Sequence, residues 1–160
     1  MCTWKECPGN VDENKKYYVD KKDPRVVTNL GSGNSMVIGS ALIPPGKLSL
    51  WEIKVLKLSG NESRTFIGAV PFDINQCDDE NYRKCGWYFD CWSSTLWSGP
   101  PHSYMWKRYV PRKENGEYVH EGDSMEVAVD TAKGELSFTV MSVNLGIAFK
   151  RIPLDKPLVP

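Results

Sequence analysis

The sequence has few of the residues that catalysis and metal binding most often use. It contains two histidines, His102 and His120, and neither lies near a Gly-x-Ser-x-Gly motif or a cysteine-nucleophile signature. The acidic group 78–80 lacks the regular oxygen spacing of a calcium loop. No Gly-rich phosphate loop occurs. We therefore predict a protein that is not an enzyme, with no catalytic residue, no metal site and no cofactor.

Net charge and long apolar runs are also absent. Twenty basic and twenty acidic side chains balance each other, which argues against a nucleic-acid partner held mainly by phosphate contacts. No run approaches the eighteen apolar residues of a membrane span, and residues 1–10 do not resemble a secretory signal. We expect neither a nucleic-acid nor a membrane partner.

The cysteines are odd in number, whereas a secreted disulfide scaffold prefers an even count. Their spacings match no common zinc pattern. Reduced thiols are therefore the favoured interpretation, which predicts a cytoplasmic location, with the nucleus not excluded. The five are Cys2, Cys7, Cys77, Cys85 and Cys91.

What the chain does have is a β-rich composition. Its 160 residues suit one domain, 1–160, with an irregular N-terminal segment at 1–16. Six Trp, seven Tyr and eleven Pro favour strands and loops over helices. No helical period extends beyond two turns, and no internal repeat is present.

The clearest strand signal runs from Glu121 to Phe149. Apolar residues alternate with polar ones in two successive runs, and a third run follows. Between the first two runs, Asp130 and Gly134 supply turn chemistry. This pattern predicts a three-stranded antiparallel meander, which needs a second sheet to be stable.

Two further runs precede this meander. In residues 48–56, Trp51, Ile53 and Val55 share one face while Leu50 and Leu56 lie on the other, which predicts a strand well inside a sheet. We expect this strand to form a hairpin with residues 65–70. Residues 85–92 alternate again.

The order of these motifs resembles that of a SPRY domain. Residues 122–149 carry G-D, D-x-x-x-G-x-L-S-F and N-L-G-I-A-F, residues 45–56 carry P-G-K-x-x-x-W-E-I-K-V-L, and Gly86-Trp87 opens another strand. The resemblance covers about 17–160, without a clear PRY segment. It implies an all-β sandwich of two antiparallel sheets, of the concanavalin-like type. It also implies a non-enzymatic protein-interaction module, of the kind that serves as an adaptor or substrate-recognition domain.

The chain departs from the family pattern in three places, one of which is Glu126, where the family commonly has a Gly shortly after the G-D. The frequent Asn-Gly hairpin turn falls on Met141-Ser142, and because these residues disfavour positive φ, we expect a differently shaped loop. The family also continues into one more strand where this sequence ends at Pro160, so that strand is expected to be missing after 160.

Residues 99–120 form the least regular part and hold several aromatic and cationic side chains. Loops on a rigid sandwich present such residues to partners, and the cations Lys107, Arg108, Arg112 and Lys113 favour an acidic peptide. Ile43 lies near the position of a Tyr that lines the peptide pocket in some SPRY domains. The predicted partner-binding residues are Trp97, Tyr104, Trp106, Arg108, Tyr109 and Ile43.

Three alternatives stay open at this point. The aromatic residues could instead cover one end of the sandwich. They could also stack on sugars, which would make the protein a lectin-like, carbohydrate-binding module. A glycoside hydrolase would need two carboxylates facing a cleft, and no E-x-D-x-E run is present.

Overall fold

The computed structural model describes residues 2–5, 17–29, 36–57, 65–73, 86–98, 107–109 and 119–160. Within these ranges the regular structure consists of strands, and no helix occurs. It follows that no helix able to cross a membrane was found in the described part of the chain. The strands are β1 (Trp4–Lys5), β2 (Tyr17–Val19), β3 (Val27–Asn29), β4 (Ile38–Gly39), β5 (Leu48–Lys54), β6 (Phe66–Pro71), β7 (Trp87–Asp90), β8 (Thr95–Ser98), β9 (Lys107–Arg108), β10 (Ser124–Asp130), β11 (Glu135–Val140), β12 (Val143–Phe149) and β13 (Leu158–Val159).

Two antiparallel sheets make up the body of the domain. One has four strands in the order β12-β11-β10-β5, and the other has five in the order β13-β6-β7-β8-β9. Two short ribbons, β1-β4 and β2-β3, accompany them. The all-β, antiparallel fold predicted from the alternating pattern is confirmed, and so is the β10-β11-β12 meander.

The core lies between the two sheets. Alternate residues of β10 and β11 point inward and are at most 5% exposed, as the period of two requires. From the facing sheet, Phe89 is fully buried and its ring centroid lies 5.4 Å from that of Phe138. Tyr109 packs against both rings at 6.2 Å. These three aromatic side chains join the sheets at the β8-β9 side of the sandwich.

The β10-β11 turn forms as the sequence predicts. The Asp130 carboxylate accepts hydrogen bonds from the amides of Ala132 and Lys133, and Gly134 adopts a φ of 66°. The carboxylate pKa is lowered: partial burial opposes ionisation, but the Lys133 contacts and these backbone bonds outweigh it. The Thr131 hydroxyl donates to a carbonyl before β5 and accepts from the Lys47 amide. The turn is therefore tied to the start of β5.

Two expectations about β5 are wrong. The strand lies at an edge of its sheet and pairs only with β10 among the described strands, and β6 belongs to the other sheet. Leu48 and Leu50 on its outer face are 60% and 56% exposed. Apolar residues on the outer face favour a strand that is buried on both faces. The alternating pattern shows which face of a strand points inward, but it does not show which strands pair with it.

The β11-β12 turn also differs from its expectation. Val140 pairs with Val143, so the loop has two residues, and Met141 and Ser142 adopt φ values of 47° and 65°. Positive φ at both positions is the conformation that the family's Asn-Gly turn favours. The two long flanking strands impose this loop although neither residue prefers it.

Replacing Met141-Ser142 by Asn-Gly should therefore stabilise the domain. Both new residues tolerate positive φ, and we expect a gain of roughly 1 kcal/mol, which raises the Tm by about 2–4 °C. Thermal denaturation measures the change. The control Ser142→Ala relieves no backbone strain and should give no gain. A double variant no more stable than the parent would contradict the strained-turn account.

Candidate binding site at one end of the sandwich

The turn after β7 is built around a buried carboxylate. Asp90 is fully buried, and its Oδ1 accepts hydrogen bonds from the amides of Trp92 at 3.0 Å and Ser93 at 3.3 Å. Its Oδ2 accepts from the Ser93 hydroxyl at 2.7 Å. That hydroxyl also contacts the hydroxyl of Thr95, which accepts a hydrogen bond from the Trp97 indole. This network fixes the conformation of the turn. Any change that broke one of its hydrogen bonds would leave a polar group buried without a partner or water, which is energetically costly.

This turn holds two distant parts of the chain. The Tyr109 amide donates to the Ser94 carbonyl at 3.0 Å, and the Val119 amide donates to the Cys91 carbonyl at 3.2 Å. The same turn therefore binds both Tyr109 and Val119, which are ten positions apart in the chain. Burial raises the pKa of the Cys91 thiol well above its usual range, with a smaller contribution from the Asp90 charge. The thiol is a packing group rather than a reactive one.

Four segments meet at this end of the sandwich, which we call the Asp90 end: residues 55–57, 91–94, 119–123 and 141–142. The Val55 amide donates to Asp123 and the Gly122 amide donates to Val55. The Met141 amide donates to the Ser124 carbonyl at the start of β10. Backbone bonds therefore link both sheets at this end.

The surface of the Asp90 end combines apolar and polar side chains. Leu56 is 64% exposed and Met141 is 57% exposed. His120 belongs to the 119–123 segment; half of its side chain is exposed, and its Nδ1 is 3.5 Å from an Asp123 carboxylate oxygen. Exposed apolar groups on hydrogen-bonded loops can bind a partner without a large ordering penalty.

The structure does not gather the six predicted binding residues into one site. Trp97 is 7% exposed and packs edge-on against Phe66, with ring centroids 5.8 Å apart. Ile43 is 6% exposed and bridges to Leu158 of β13, whereas Arg108 belongs to β9 at the opposite edge of that sheet. These two positions cannot line one small pocket.

Tyr109 is the predicted residue best placed for a role at the Asp90 end. It is partly buried, and its hydroxyl donates to the Gly146 carbonyl of β12 across the two sheets. Tyr104 and Trp106 lie outside the described residues. The partner-binding role of all six stays a prediction.

Comparison with known families decides the class of domain. The model of the SPRY domain matches residues 49–160, which is more than half of the chain. The chain belongs to the SPRY family. SPRY domains are in general protein-interaction modules and are generally non-enzymatic.

A solved SPRY domain has the same fold. The chain is similar to the SPRY domain of human HERC1, with a TM-score of 0.63 and 14% identity, over 91% of this chain and 84% of that one. At this identity the likeness shows the fold alone. No curated protein sequence matches the chain significantly.

A glycoside hydrolase would need two carboxylates that face a cleft, and one pair of glutamates in this SPRY domain can be tested for that arrangement. Glu52 of β5 and Glu126 of β10 are directly opposite each other in the sheet register. They project from the outer face, where Glu52 is exposed, and not into a cleft that could hold a glycosidic bond. Among the described residues no group of three His, Cys, Asp or Glu side chains could hold a metal ion.

Sequence reasoning missed the apolar part of the Asp90 end. The alternating pattern places Leu56 on the outer face of a strand, although it lies beyond the last residue of β5. Met141 stands out in the sequence only as a turn residue. The only sign in the sequence is an apolar residue directly after the end of a strand. A single sequence cannot distinguish such a residue from one more buried residue of the same strand.

Proposed function

We propose that this SPRY domain binds an extended segment of a partner protein at the Asp90 end and has no enzymatic activity of its own. One observation carries the proposal: hydrogen bonds to the buried Asp90 turn hold both Tyr109 and Val119, so this end of the sandwich is a rigid base. Such a base lowers the entropy lost on binding. A role as an adaptor or substrate-recognition domain would follow from this kind of contact.

The exposed side chains support a polypeptide ligand. Leu56 and Met141 offer apolar contacts, and the neighbouring polar groups provide a rim, as in protein interfaces generally. Cations in the segment around Tyr109 would favour acidic residues in the partner. These are Lys107, Arg108, Arg112 and Lys113.

A peptide-selection experiment tests the proposal. Linear peptides selected from a random library on the wild-type domain should include acidic sequences with apolar anchors. Leu56→Ser and Met141→Ser should each weaken the selected peptide by about tenfold or more, the usual effect of removing an interface anchor. Fluorescence anisotropy with a labelled peptide gives the Kd.

Leu154→Ser is the matched control. Leu154 is 45% exposed and lies near the contact between Lys156 and Asp73, away from the Asp90 end, so its substitution should leave the Kd unchanged. Equal weakening by all three variants would contradict the proposed location. Binding on a glycan array, with no peptide selected, would favour the carbohydrate-binding alternative.

We further propose an intracellular, cytoplasmic setting, with the nucleus as the alternative. Cys2 and Cys91 are free thiols, and Cys91 is buried where it cannot reach a partner thiol without rearrangement. Free thiols agree with a reducing compartment. Fluorescence imaging of the tagged, full-length protein in its own cells tests this location.

A further inference from the structure

The described part of the chain leaves the outer edge of β5 unpaired. The backbone amide and carbonyl groups of Lys47 and Val55 form hydrogen bonds on the side of β5 that faces β10. Because backbone groups alternate in direction along a strand, those of the even-numbered residues between them point to the opposite, outer side. No other described strand pairs with that edge. The register with β10 runs through seven consecutive pairs without a bulge. By contrast β12, at the opposite edge of the sheet, has two register shifts, which discourage edge pairing.

The side chains along the outer edge of β5 are complementary to the same side chains of a second copy of the chain. Residues 50–56 read L-W-E-I-K-V-L, and an antiparallel pairing centred on Ile53 places this run opposite itself. Leu50, 56% exposed, then faces Leu56 of the second copy, 64% exposed. Glu52 faces Lys54 of the second copy, and both are exposed in the single chain. Each of these contacts occurs twice, as in an isologous interface.

Charge and backbone geometry select this register. The residues whose side chains point away from the core are even-numbered. In a two-fold pairing of two β5 strands, each even-numbered residue must therefore lie opposite an even-numbered residue of the second copy. Centring on Glu52 would oppose two carboxylates, and centring on Lys54 would oppose two ammonium groups; like charges opposite each other are destabilising. Centring on Ile53 instead forms two ion pairs and two leucine pairs.

The inner face of β5 provides a further reason. Trp51 and Ile53 pack against the core yet remain partly exposed at the sheet edge. In the Ile53-centred pairing, Trp51 lies opposite Val55 of the second copy, and the two Ile53 side chains meet. A second copy would therefore cover apolar surface on both faces of the strand.

We propose that two copies of this chain associate through β5, antiparallel and centred on Ile53, to form one continuous eight-stranded sheet. The pairing leaves the hydrogen bonds of the Asp90 turn in place, but it covers Leu56, which also belongs to the Asp90 end. Pairing of two copies and peptide binding would therefore compete for Leu56, whereas Met141 lies outside the β5 pairing.

Sedimentation equilibrium on the purified chain, over a range of concentrations, tests the pairing. Glu52→Lys alone and Lys54→Glu alone each place like charges opposite each other twice, and should raise the dimer Kd by at least about tenfold. An equimolar mixture of the two variants restores both ion pairs in a heterodimer and should return the Kd to near the wild-type value. Glu135→Lys is the control, with the same charge change two strands away from β5.

Three results would overturn the proposal. The wild type could be monomeric at every concentration up to about 1 mM. The two single variants could dimerise as well as the wild type, or their mixture could fail to recover. Glu52 and Lys54 are exposed and Glu135 is partly buried, and unchanged circular dichroism and Tm would show that each variant keeps the fold. If a strand from another protein pairs with this edge instead, the wild type stays monomeric and the proposal fails.

Discussion

Phe138→Ala is expected to destabilise the domain by roughly 3–5 kcal/mol, the usual effect of removing a buried aromatic ring. Phe138 is 1% exposed and contacts Phe89 of the other sheet and Tyr109 beside β9. The substitution leaves a cavity between the sheets that their paired strands cannot collapse to fill. For a chain of this length the Tm should fall by about 10 °C. Urea denaturation with unchanged m measures the loss directly.

Val143→Ala is the control for this prediction. Val143 lies on the adjacent strand β12 but is 59% exposed, so its truncation should change stability by less than about 0.5 kcal/mol. If Phe138→Ala were as mild as Val143→Ala, the two sheets would not be packed through this ring.

Asp90→Ala is expected to be nearly as damaging, by about 2–4 kcal/mol. The amides of Trp92 and Ser93 and the Ser93 hydroxyl lose their common acceptor in a buried turn. Donors left without an acceptor away from water carry their full desolvation penalty. Because this turn also holds Tyr109 and Val119, hydrogen exchange at those two amides should accelerate in the variant.

Asp130→Ala is a matched comparison. Its carboxylate accepts hydrogen bonds from two amides in the same way, but it is only partly buried, so water can replace it. We expect a loss of about 0.5–1 kcal/mol there. Equal losses at Asp90 and Asp130, or unchanged exchange at Tyr109 and Val119, would show that burial of Asp90 contributes nothing.

Much of the fold could be predicted from local pattern. Alternation along β10 and β11 identified which residues face the core, and the Asp130 and Gly134 signal located the turn between them. Strand neighbours could not be predicted in the same way, because pairing of β5 with β10 joins residues about 75 positions apart. The Met141-Ser142 turn shows the same limit, since long-range pairing imposed a conformation that neither residue favours.

The site was less predictable than the fold. Trp97 stood out as an aromatic residue beside an irregular segment, but its indole donates to Thr95 and its ring packs on Phe66. Composition cannot show that an aromatic side chain has partners inside the protein. The exposed Leu56 and Met141 lacked any unusual chemistry in the sequence, and only the meeting of four segments at one end gives them a shared surface.

Hydrogen exchange of the domain with and without a selected peptide is the most direct test of the interaction site. Bound peptide should slow exchange in residues 55–57, 119–123 and 141–142, while amides of the β2-β3 ribbon stay unchanged. Protection confined to β5 and the outer face of its sheet, or to the region of Ile43 and Leu158, would contradict binding at the Asp90 end.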